Sequence, residues 1–155
     1  MRINVWAALT LAMTALSPML VEAQVNTSLT DKDRAEITAM SVTYRRALIG
    51  CKAEEYANLF ATPGGYFSSS SRGEVREREA LMEMVLGYDR CHSAAAAAAE
   101  APRATASLPT PVIEPSPEGA KARIINSRGG GYYDDVYEKT GPGQWRIKSR
   151  TTVKP

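Results

Sequence analysis

Histidine occurs once in these 155 residues, at position 92, and cysteine and phenylalanine only twice each. A lone imidazole among dispersed carboxylates cannot assemble the ligand sets that hold zinc, so no metal centre is expected. Neither Cys51 nor Cys91 sits in a thiol-protease signature, which removes nucleophilic cysteine chemistry. A surplus of one charge is missing as well. The formal net charge is +2 with lysine and arginine scattered, so nucleic acid and anionic membranes are not expected partners. Past the first two dozen residues no apolar run reaches bilayer length, no internal repeat occurs, and no cofactor is expected.

What is present begins with an export signal. Met1-Arg2 is a short basic start, Val5 to Val21 is almost wholly apolar, and Val21-Glu22-Ala23 offers small residues for cleavage before Gln24. Residues 1–23 therefore read as a signal peptide and the protein as exported, whether to a periplasm or beyond the cell. The alternative is a retained anchor, against which stand Ser17-Pro18 and the shortness of the run. Residues 24–28 read as a disordered lead-in, and 29–153 as one domain. Export would place both cysteines in an oxidising compartment, and on that ground a Cys51–Cys91 bridge is expected over two separate thiols.

Helices come first. Thr30 or Asp31 is the expected cap of a helix in which Ile37, Met40, Val42, Tyr44, Ala47, Leu48 and Cys51 recur at helical spacings. Arg45-Arg46 is expected on its wet side, and Gly50 stops it. A second, short helix spans Ala53 to Phe60, and a third runs from Arg76 to Tyr88 with Leu81, Met84, Val85 and Tyr88 on one face. The alanine run from Ala94 to Ala99 has high helix propensity but little to bury. It reads as an insert near 93–108, partly helical and ended by Pro102.

Strands follow. Tyr66-Phe67 starts one, Val112 to Ile125 reads as a hairpin around Pro117-Glu-Gly, and the chain ends in a second hairpin. From Tyr133 to Tyr137 and from Trp145 to Ser149 large side chains alternate with polar ones, separated by Gly141-Pro-Gly. Helices first and strands later is an α+β order. Asp134 and Asp135, neighbours on a strand, face opposite ways and form no carboxylate dyad. Tyr133, Asp135 and Tyr137 share one face, which alternation alone does not assign to the inside or the outside. An aspartate opposite Arg146, Lys148 or Arg150 reads as a cross-strand ion pair, the alternative being a pocket carboxylate.

The strand Gly131-Tyr-Tyr-Asp, its turn, and Trp145-Arg-Ile-Lys-Ser-Arg150 closely resemble the last hairpin of the SnoaL-like branch of the nuclear transport factor 2-like superfamily. The resemblance covers Leu29 to Val153, most strongly after Val112. It implies a cone: a curved, mostly antiparallel sheet packed against three N-terminal helices, whose interior holds a hydrophobic ligand in relatives such as ketosteroid isomerase, scytalone dehydratase and the polyketide cyclases. It also implies a catalytic pair, an Asp late in the first helix and a His before the middle strands. Here Ile49 takes the place of the Asp, and Leu108-Pro-Thr-Pro stands where the His belongs.

Three functions follow from this. The first is an exported domain that binds a small hydrophobic molecule without Asp–His catalysis, in a cavity bordered by Tyr44, Leu48, Tyr66, Val85, Tyr88 and Trp145. The second is a divergent lyase, isomerase or cyclase acting by proton transfer on a small carbonyl compound. Its candidate residues are Tyr44 as donor and Asp89 or His92 as base, the latter two sharing a face if the third helix continues. The third is an interaction module, a homodimer formed through the open face of the sheet.

Overall fold

The computed structural model describes residues 28–107, 109–126, 130–141 and 143–154. The expected signal peptide and all but the last residue of the lead-in lie outside them. Helix α1 (Asp31–Ile49) starts at Thr30, whose Oγ1 accepts from the Asp33 backbone N–H at 3.1 Å while Asp33 accepts in return from the Thr30 N–H at 3.0 Å. Two of the orphan donors of the first turn are thereby satisfied reciprocally. The same carboxylate reaches across the molecule: its Oδ1 accepts from Trp145 Nε1 and from Lys139 Nζ, both at 2.8 Å. Asp33 thus fastens the start of the first helix to the last hairpin.

Lys139 above all, then Thr30 and Trp145, hold the Asp33 carboxyl far below the usual carboxylate range. A group whose folded pKa is depressed contributes stability that is fully present above its unfolded pKa, about 3.9, and is lost as pH falls below that value. Urea unfolding at stepped pH should therefore separate wild type from Asp33→Asn near neutrality and narrow the gap progressively as pH falls below about 4. A gap that stays constant down the acid range contradicts this role for the carboxylate.

Helices α2 (Ala53–Ala57) and α3 (Arg78–Leu86) complete the first layer. Ile37, Tyr44 and Ala47 of α1, Tyr56 of α2 and Leu81, Met84 and Val85 of α3 are all buried, each large side chain contributing about 1.5–3 kcal/mol. Two positions on α1 reverse the sequence expectation. Val42 is exposed, and Arg45, expected on the wet side, is buried. Arg45 is covered by a further helix, α4 (Ala94–Thr105), which packs against α1. Ser93 caps it by accepting from the Ala96 N–H, and it carries on through Pro102 for one more turn instead of ending there. Among the described residues the helical layer therefore has four members, the fourth built from the alanine-rich insert.

Between α3 and α4 lies a single 3₁₀ turn, Asp89–Cys91. Cys91 is bridged to Cys51, just past the end of α1, with Cα atoms 5.6 Å apart. Beside the bridge Arg90 donates through Nε and Nη2 to the Leu48 carbonyl, at 3.0 and 2.8 Å. That carbonyl belongs to the last turn of α1, where no intrahelical donor remains.

Strands β1 (Tyr66–Ser69), β2 (Gly73–Val75), β3 (Val112–Ser116), β4 (Gly119–Ile125), β5 (Tyr132–Thr140) and β6 (Gln144–Val153) form one curved sheet in the order β2-β1-β6-β5-β4-β3. All neighbours are antiparallel except β1 and β6. The β3–β4 turn needs Gly119: its φ is +135°, and a Cβ there would stand 2.6 Å from the Tyr137 carbonyl oxygen. The inner face carries Ala120, Ala122, Ile124, Tyr137, Trp145 and Ile147.

The register shifts in the β5–β6 pair. Val136 faces Ser149, but the next residue, Tyr137, faces Ile147, leaving Lys148 as the extra residue of a bulge. Trp145 and Ile147 point inward by simple alternation, which would send Arg150 outward. The bulge resets the phase, so Arg150 turns inward opposite Asp135.

Candidate functional site

The inner floor of the cone is a buried ion pair. Arg150 donates through Nε to Asp135 Oδ1 at 2.7 Å and through Nη2 to Oδ2. Tyr137 Oη adds a bond to Oδ2 at 2.6 Å, and both charged residues are 1% exposed. The pairing read from the sequence is present, but inside the core, where geometry of this quality is needed to offset desolvation. The Arg150 guanidinium also lies 3.6 Å from the centre of the Tyr44 ring and 5.0 Å from that of Tyr133, a second source of stabilisation for a desolvated cation. Tyr56 Oη donates to Tyr44 Oη at 3.2 Å. The order Tyr56, Tyr44, Arg150, Asp135, Tyr137 is thus one connected polar chain through an otherwise apolar core.

Burial sets the proton states. Desolvation pushes the Tyr44 phenol up despite the opposing Arg150 charge, and raises Tyr56 and Tyr137 in the same way. Burial disfavours the Arg150 charge, but Asp135 overrides it and holds the guanidinium protonated. None of these tyrosines is available as a phenolate base near neutral pH. Tyr44 can serve as a hydrogen-bond donor. Asp135 already accepts three bonds, so it is a structural carboxylate and not the pocket base that was the alternative.

Above this floor, between α1, α4 and the inner sheet, is a cavity of about 30 Å³, room for about one or two water molecules. Tyr44, Leu48, Ile49, Ile124, Ile125 and Tyr133 give it apolar surface, while Ser41, Arg45, Arg90, Glu100, Asn126 and Arg150 give it polar groups. Ile49, at the position expected to lack the family's carboxylate, does border the cavity. Glu100 is the one carboxylate among the described lining residues, and it accepts from Arg103 at 3.3 Å.

Of the residues proposed from sequence as a ligand boundary, Tyr44 and Leu48 border this cavity, and Tyr66, Val85, Tyr88 and Trp145 do not. Val85 and Trp145 are core side chains, the latter held by Asp33. Tyr66 and Tyr88 sit under arginines, Arg76 over the first and Arg72 and Arg90 over the second. Asp89 and His92 do not share a helix face, because α3 ends at Leu86 and the 3₁₀ turn intervenes. Both are exposed and neither lines the cavity. Arg45 and Glu100 were missed, because both depend on where the alanine-rich insert goes, and Arg150 was read as an ion-pair partner but not as a buried one. Among the described residues no cluster of His, Cys, Asp and Glu is arranged to hold a metal.

Solved structures share this architecture. An NTF2-like protein with a cystatin-like fold from Novosphingobium aromaticivorans superposes with a TM-score of 0.58 at 17% identity, over 79% of this chain and 82% of its own. An NTF2-like superfamily protein from Salmonella enterica gives 0.56 at 18% identity, over 79% and 90%. ActVI-ORFA from Streptomyces coelicolor gives 0.55 at 16%, over 77% and 95%. At such identities the likeness is one of fold. No curated protein sequence matches the chain. The family model for the SnoaL-like domain matches residues 30–151, from the Thr30 cap into the last strand, and the chain therefore belongs to the SnoaL-like domain family.

Proposed function

We propose that this is an exported domain that binds a small, largely apolar molecule beneath α4 and performs no proton transfer of the Asp–His type. The observation that carries the reading is the cavity itself: aliphatic and aromatic walls on one side, and a floor whose carboxylate is already saturated. As closed it admits very little. A larger guest has to displace α4, and none of that helix's described side chains is fully buried, so moving it forfeits little apolar contact. Export is supported by the leader-like first 23 residues and by the bridge between Cys51 and Cys91. A mature exported chain that begins elsewhere than Gln24 would contradict that part.

Native mass spectrometry of the purified protein, followed by solvent extraction, tests the binding. A recurring small apolar species is expected in the native complex and absent after denaturation. Consistently empty protein, with no added apolar compound retained, overturns the reading. The second function, proton transfer on a carbonyl compound, is favoured by one observation: Tyr44, a donor, and Glu100, a carboxylate, border the same space. A panel of ketosteroid, dehydratase and cyclase substrates should give no turnover. Turnover abolished by Tyr44→Phe or Glu100→Gln would replace the binding role with a catalytic one.

A further inference from the structure

We infer that the molecule held in this cavity is an anion, its carboxylate seated on Arg45; the inference rests on the binding role proposed above. Two arginines on neighbouring walls make the argument by contrast. Arg150 carries its counter-ion with it, in Asp135. Arg45 is also largely removed from solvent, at 8% exposure, but its Nη2 donates to a backbone carbonyl, that of Ala106. Among the described residues its Nε and Nη1 are buried with no hydrogen-bond partner, and none of their carboxylates is ion-paired with it.

Burying donors without acceptors is costly, and more so for charged groups. A neutral carbonyl could satisfy the N–H groups, but it would leave the charge uncompensated. A carboxylate does both. Glu100 lines the same cavity but is engaged with Arg103 on its own helix, so the fold does not supply that acceptor. Leu48, Ile49 and Ile124 then define the rest of the guest as apolar. The ligand class is a small aromatic or aliphatic carboxylic acid. Burial lowers the Arg45 pKa with no charge opposing it, and a bound anion would reverse that.

The test compares three probes of one size, benzoate, benzyl alcohol and benzylamine, by saturation-transfer NMR titration against wild type, Arg45→Met and Arg45→Gln. In wild type benzoate is expected to bind at least about tenfold tighter than benzyl alcohol, with benzylamine weakest. Both variants should lose that advantage, benzoate falling to the level of benzyl alcohol measured in the same variant. Equal binding of benzoate and benzyl alcohol, or an advantage that survives in both variants, overturns the anion inference and leaves the binding role standing. Failure of all three probes to bind wild type at millimolar concentration removes both. Should neither variant fold, the wild-type ranking decides: benzoate first supports the inference, and any other order overturns it.

Discussion

Arg150→Met is expected to cost about 3–5 kcal/mol of folding stability, because it leaves the Asp135 carboxylate in the core with a single phenol for company. The loss is not one of packing, since methionine fills much of the arginine stem's volume. It is the uncompensated charge that is expensive. A domain of this size has about 5–15 kcal/mol in total, so the variant should be partly unfolded at 37 °C. The double variant Arg150→Met/Asp135→Leu removes the charge along with its partner and should recover most of the loss. Chemical denaturation of the wild type, both single variants and the double variant measures this coupling. A single-variant loss below about 1 kcal/mol, or a double variant that simply sums the two singles, would mean that the pair is not the structural hub described above.

The second large effect concerns the bridge. Cys51 and Cys91 are 40 residues apart, and closing a loop of that length should stabilise the folded state by about 4 kcal/mol through the unfolded chain. Paired Cys→Ser replacement should lower the unfolding midpoint accordingly. The damage should concentrate where the bridge acts, at the junction of the α1 end with the 3₁₀ turn, where Arg90 also holds the Leu48 carbonyl. Hydrogen exchange should rise first in residues 47–52 and 88–93. Unchanged stability in the paired variant, or two free thiols in wild-type protein purified without reductant, would contradict the prediction.

Much of the scaffold was legible because its signals are local. The Thr30 cap, the Gly50 stop, the inward spacing of Leu81, Met84 and Val85, and both late hairpins are each specified within a few residues. The pairing of Asp135 with Arg150 was visible as charge across a hairpin. Its burial was not, because strict alternation from Trp145 sends Arg150 to the solvent face and only the bulge at Lys148 corrects the phase. No residue there signals a bulge, since no glycine marks it. Arg45 was hidden for a longer-range reason. Next to Arg46 it looks like part of a wet face, and only the docking of α4 dries it. An alanine run states a preference for helix without saying where that helix packs, so the charged rim of the cavity stayed out of reach of the sequence. The same gap explains why Tyr66, Tyr88 and Trp145 were expected around the ligand. Their aromatic character was read as lining, whereas arginine stacking and the Asp33 bond use them elsewhere.

The central claim is that the space beneath α4, walled by Leu48 and Ile124, takes up a small apolar guest. The most direct measurement is a titration of benzyl alcohol, a neutral probe, into wild type and into Leu48→Trp, with circular dichroism to establish that both are folded. Saturable binding at one site in wild type, weakened at least about tenfold in the filled variant, is the predicted result. Equal binding in the two proteins would put the guest somewhere else, and no saturable binding in wild type would show that this cone is closed.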